Sequence, residues 1–99
     1  AESFQQLRVL AVNACRISDS SVRILARSLP RLEVLEMAQC PLVGDDSLRN
    51  IGEHLKRLRG IDLYGCTRVS SAGLQHLLRL PRLKSINRQL RTKTCAGAG

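Results

Sequence analysis

The sequence predicts an α/β solenoid, a short right-handed horseshoe of about three and a half strand–helix repeats with a parallel concave sheet and convex helices. Three observations predict it. A leucine-rich segment closing on cysteine returns along the chain, as LRVLAVNAC at 7–15, LEVLEMAQC at 32–40 and LRGIDLYGC at 58–66, and LKSINRQLR begins a fourth, altered copy at Leu83. The leading leucines, Leu7, Leu32, Leu58 and Leu83, lie 25, 26 and 25 residues apart. Within each segment the last two apolar residues are spaced by two, the period of a strand with one buried face. After each cysteine comes a short loop, then apolar residues three and four apart, the stripe of a helix packed on one side.

The repeats divide as 7–31, 32–57, 58–82 and a partial 83–90. In the strands Leu7, Leu10 and Val12, then Leu32, Leu35 and Met37, then Leu58, Ile61 and Leu63 face inward. The residues between them face outward: Val9, Ala11 and Asn13; Val34, Glu36 and Ala38; Gly60, Asp62 and Tyr64; Ser85, Asn87 and Gln89. Stacked units place such strands roughly 4.8 Å apart. The loops carry one β-branched residue each, Ile17, Val43 and Val69, which plugs the turn. Ser18 or Asp19, Asp45 and Ser70 are helix N-cap types. The helix stripes are Val22, Leu25, Ala26 and Leu29; Leu48, Ile51 and Leu55; Leu74, Leu77 and Leu78. Pro30 and Pro81 stop two helices and turn the chain into the next strand.

The fourth unit keeps Leu83 and Ile86 but has Arg88 at the inward position and Arg91 in place of the cysteine. The expected organisation is one repeat domain over 1–90 and a flexible tail over 91–99. No capping unit is recognisable at either end, so the chain reads as an excerpt or truncated form of a longer array.

Sixteen Lys and Arg against eight Asp and Glu give a net charge of +8, which favours acidic partners without dictating a fold. One Phe, one Tyr and no Trp leave the basic residues without interleaved aromatics, which weakens recognition of single strands by base stacking. AESFQQLRV does not resemble a signal peptide, and the longest apolar run, Val9–Val12, is far too short for a membrane span. Three of the four cysteines share one repeat position and none forms a Cys-x-x-Cys pair, which argues for packing rather than zinc or disulfides. An intracellular, reducing compartment is therefore expected. Cys15, Cys40 and Cys66 read as a structural column at the strand-to-loop corner; Cys95 lies in the tail.

Two surface sets stand out. Asn13, Glu36, Asp62 and Tyr64 lie on the outward strand face, where Glu36 and Asp62 stack into an acidic spot with Tyr64 at its edge. Arg31, Arg57 and Arg82 recur just before each strand, a column suited to an acidic protein or a phosphate backbone. Each set also reads more plainly as solvated surface. His54 and His76 fall at non-equivalent helix positions, adjacent Asp45 and Asp46 include at least one cap, and no Gly-rich phosphate loop is present. The chain is thus expected to have no catalytic, metal or cofactor site.

The units resemble cysteine-containing leucine-rich repeats over residues 7–82, with the pattern Leu-x-x-Leu-x-Leu-x-x-Cys-x-x-(Ile/Val)-(Ser/Thr)-Asp recurring in whole or part. MAQCPLVGDDSLRNIGEHL and LYGCTRVSSAGLQHLLRLP are similar to repeats of F-box leucine-rich-repeat proteins. That resemblance implies a protein-interaction module that recognises substrates for a Skp1–cullin–F-box ubiquitin ligase, without enzymatic activity of its own. The F-box is absent here, so contact with Skp1 and cullin is expected only through a part of the protein not in this sequence. The same repeat subclass occurs in the factor B family of ATP synthase, also called subunit s, which makes an assembly subunit of a mitochondrial complex the alternative. A basic solenoid binding nucleic acid through Arg31, Arg57 and Arg82 is the third reading. The expected location is cytoplasmic or nuclear, or mitochondrial under the alternative.

Overall fold

The computed structural model describes residues 6–87. Four short parallel strands, β1 (Val9–Ala11), β2 (Val34–Glu36), β3 (Gly60–Asp62) and β4 (Ser85–Asn87), form one sheet in sequence order. Between them run α1 (Asp19–Ser28), α2 (Asp45–His54) and α3 (Ser71–Leu77). The register aligns Leu10 with Leu35, Leu35 with Ile61 and Ile61 with Ile86, so equivalent positions of successive units are neighbours in the sheet. Pairing extends past the three-residue strands. Val12 N–H donates to the Glu36 carbonyl at 2.8 Å, Met37 to Asp62 at 2.9 Å and Leu63 to Asn87 at 2.6 Å. Upstream, single carbonyls of Arg8, Glu33 and Arg59 each accept two N–H groups from the next strand.

One face of the sheet is covered by the helices. Leu35, Ile61, Met37 and Leu63 from the strands share one buried cluster with Val22, Ala26, Leu48, Ile51, Leu55 and Leu77 from the helices. The first unit is looser: Leu7, Leu10, Val12, Cys15 and Ile17 are only half-buried. Among the described residues, a unit inside the stack has apolar neighbours on two sides and the first has one. Val43 and Val69 fill their turns completely, whereas Ile17 does not.

The strand leaves the sheet through a left-handed residue that recurs with the unit. Ala14, Gln39 and Gly65 take φ of 58°, 59° and 77°, each immediately before the cysteine. The thiol that follows then points back into the stack. Cys40 donates to the Val12 carbonyl at 3.1 Å and Cys66 to the Met37 carbonyl at 2.9 Å. Both side chains are buried. Cys15, with no described unit before it, is half-buried and instead meets the carbonyl of Asn13 at 3.5 Å.

Helix capping corrects one expectation. Ser18 is the N-cap of α1, its hydroxyl accepting from Ser21 N–H at 3.4 Å. Asp45 does not cap its own helix: Gly44 is the N-cap and Asp45 is the first helical residue. Its carboxylate reaches forward to α3, accepting from Ser70 N–H at 2.8 Å and from the Ser70 hydroxyl at 2.5 Å. Asp19 does the same one unit earlier, accepting from Gly44 N–H at 3.0 Å and from the Ser47 hydroxyl. Helix N-termini carry unpaired N–H groups. Here the starts of α2 and α3 each receive the carboxylate of the preceding unit, at Gly44 N–H and at Ser70 N–H.

Leu78 is a second correction. It was expected in the buried stripe of α3, but it is the C-cap residue and 68% exposed. A buried stripe needs a neighbouring helix, and α3 has one on the α2 side alone among the described residues. The expectations for Arg88, Gln89, Arg91, the end of the partial repeat and the 91–99 tail with Cys95 lie outside the described residues.

Candidate protein interface

The face of the sheet away from the helices carries the outward strand residues in register rows. Ala11, Glu36, Asp62 and Asn87 align across the four strands, as do Val9, Val34, Gly60 and Ser85. Placing Glu36 directly beside Asp62 follows from the parallel register, which stacks equivalent positions of successive units. A shallow depression of about 290 Å³ opens here, bordered by Val34, Glu36, Asp62, Ser85 and Asn87. Gly60 makes its floor; a Cβ there would stand 3.1 Å from Ser85 Oγ.

Asn13 and Tyr64 differ in role. Asn13 holds the frame: its side-chain amide donates to Glu36 Oε1 at 3.1 Å and its carbonyl oxygen accepts from Ala38 N–H at 2.8 Å. It thereby fixes the Glu36 carboxylate and satisfies a backbone group as the chain leaves β2. Asp62 accepts from Tyr64 N–H at 3.0 Å, a local turn that sets where the Tyr64 ring departs. Tyr64 is 42% exposed, with its phenol available to a partner. This framing by Asn13 was not visible in the sequence, because the bond spans two units.

Arg31, Arg57 and Arg82 are all exposed, and no carboxylate pairs with them among the described residues. The ion pairs found elsewhere are Arg8 with Glu33 at 3.8 Å, and Arg49 with Asp46. Cys40 and Cys66 take no part in the surface, and burial pushes the Cys66 thiol up from its ordinary pKa. Asp19 is half-buried and bonded to the next unit. Burial alone would raise it, but the Ser47 hydroxyl, the Gly44 N–H and the nearby Arg68 hold its carboxyl below the usual range. Among the described residues, no three His, Cys, Asp or Glu side chains converge as metal ligands. No helix there is long and apolar enough to cross a membrane. A comparison with models of known protein families finds no match.

Proposed function

We propose that this chain is a leucine-rich-repeat solenoid acting as a protein-interaction module, with the open sheet face as its contact surface. The observation that carries the reading is the row of Glu36 and Asp62 at the depression floored by Gly60, with the exposed Tyr64 two residues past Asp62. An aromatic anchor next to fixed polar groups on a rigid sheet is the composition of an interface centre. The partner binds passively, its basic or hydroxyl groups meeting the two carboxylates and an apolar group meeting the Tyr64 ring. The resemblance of the repeats to F-box receptors makes a protein degron the first class of partner, with Skp1 and cullin recruited by another part of the parent protein.

The test is affinity purification of the parent protein beside a Glu36→Lys, Asp62→Lys, Tyr64→Ala variant that keeps the same circular dichroism. A protein recovered with the first and lost with the second supports the sheet face, and Skp1 with cullin among the shared proteins supports the ligase context. Identical recoveries in every respect overturn the sheet face as the binding surface. Mitochondrial complex subunits without Skp1 replace the ligase context with the assembly one.

A further inference from the structure

The last described unit carries a second surface, apart from the open sheet face. Leu78, Leu83 and Ile86 line a trough between α3 and β4 that continues past Leu74 and Gln75, in two lobes of about 250 and 280 Å³ sharing Leu78 and Ile86. Lys84 borders it, and Arg79 and Arg82 are exposed in the adjoining turn. The sequence of this unit is one-sided in charge: the 25 residues from Leu63 to Asn87 hold four Arg and Lys and no Asp or Glu.

Two occupants are disfavoured by the chain itself. The segment after Asn87, RQLRTKTCAGAG, brings three more positive charges and no carboxylate to a site already basic. A second copy stacked against the trough would bring another net charge of +8 to the same basic surface.

The geometry points to an acidic amphipathic segment of another protein as the occupant of this trough, its leucine-type side chains against Leu78, Leu83 and Ile86 and its carboxylates against Lys84, Arg79 and Arg82. Apolar anchoring supplies affinity and the flanking charges select the partner.

The probe is a fluorescein-labelled synthetic helix with leucines on one face and glutamates on the other, titrated with the full chain by fluorescence anisotropy. The companion probe has lysines in place of the glutamates. The expected result is saturable binding of the Leu/Glu helix, at least tenfold tighter than the Leu/Lys helix. It weakens at least tenfold with Leu78→Asp and severalfold with Lys84→Glu. Both residues are exposed, and unchanged melting curves show that the variants fold. Glu36→Lys leaves binding unaltered, which separates this surface from the sheet face. Equal binding of the two helices, indifference to Leu78→Asp, or no saturation of the Leu/Glu helix overturns the assignment. So does a concentration-dependent dimer in sedimentation that Leu78→Asp dissolves, which would give the trough to a second copy.

Discussion

The carboxylate of Asp45 occupies the space into which a side chain on Gly73 would project. An ideal Cβ built on Gly73 falls 2.7 Å from Asp45 Cγ and 3.0 Å from Asp45 Cβ. The glycine is therefore what allows Asp45 to reach Ser70 and satisfy the N-terminus of α3. One unit earlier Ser47 stands in the equivalent place and donates its hydroxyl to Asp19 instead. The two solutions make the same bond between helices with different residues.

Gly73→Ala is expected to lower stability by about 1–2 kcal/mol, because losing the capping bonds outweighs the better helix propensity of alanine. In an Asp45→Ala background the penalty shrinks but does not vanish, because the capping bonds are already gone while the alanine keeps a Cβ 3.0 Å from the new methyl. A double-mutant cycle read from urea melts checks this, and additive effects would show that the two side chains do not compete for space.

The first unit is less buried than the second and third, so equivalent leucines differ in weight. Leu63 is fully buried and Leu10 only half-buried. Leu63→Ala is expected to cost about 2–5 kcal/mol. Leu10→Ala costs about 1–2 kcal/mol, since less of its surface leaves water on folding. Equal losses in denaturant titrations would contradict the looser packing of the first unit.

Much of this fold was legible because the same strand pattern is written three times. The two-residue spacing of Leu35 with Met37 and of Ile61 with Leu63 fixed which side faces the helices, and with it the outward placement of Glu36 and Asp62. Residue types near the caps were also legible, but not their partners. Asp45 looks the same in sequence whether it caps its own helix or the next, and only the side-by-side helix ends decide it. Leu78 was misread for a related reason: helical spacing shows that a stripe exists, not whether a neighbour covers it. The Asn13–Glu36 bond, across 23 residues, had no local signal at all.

The left-handed corner gives a stabilising substitution. Gln39 holds φ of 59°, a conformation that favours glycine, and Gly65 already occupies the matching position of the third unit. Gln39→Gly is expected to gain about 0.5–1 kcal/mol, the relief of left-handed strain less the larger entropy of glycine in the unfolded chain. The melting temperature then rises by about 2–8 °C for a domain of this size. A fall would mean that the Gln39 side chain, which lies over Gly65, packs more favourably than the backbone strain costs.

Acid should destabilise the stack through Asp19. Its folded pKa is depressed, so its contribution is complete above the unfolded carboxylate pKa of about 3.9 and is lost as pH falls through the lower folded value. Asp19→Asn keeps an acceptor for Gly44 N–H but removes the titration. Melting temperatures followed from about pH 6 down to about pH 2 should fall less steeply in the variant than in the parent. Parallel acid limbs would place the titrating group elsewhere.

The cysteine column sets the opposite limb. Burial raises the Cys66 thiol, so the folded state holds its proton at a pH where the unfolded chain has released it. Stability is then undiminished below the ordinary thiol pKa of about 8.5 and declines as pH rises above it, because the unfolded state binds fewer protons. Cys66→Ala should be less stable at neutral pH, having lost the bond to the Met37 carbonyl, yet show a shallower alkaline decline. Thiol labelling gives an independent reading on the same column. Cys15 is half-buried and should react with a disulfide reagent in the native state, whereas Cys40 and Cys66 should be modified only as fast as the stack opens. Rapid modification of Cys66 under native conditions would show that the third unit opens on its own, contrary to its complete burial.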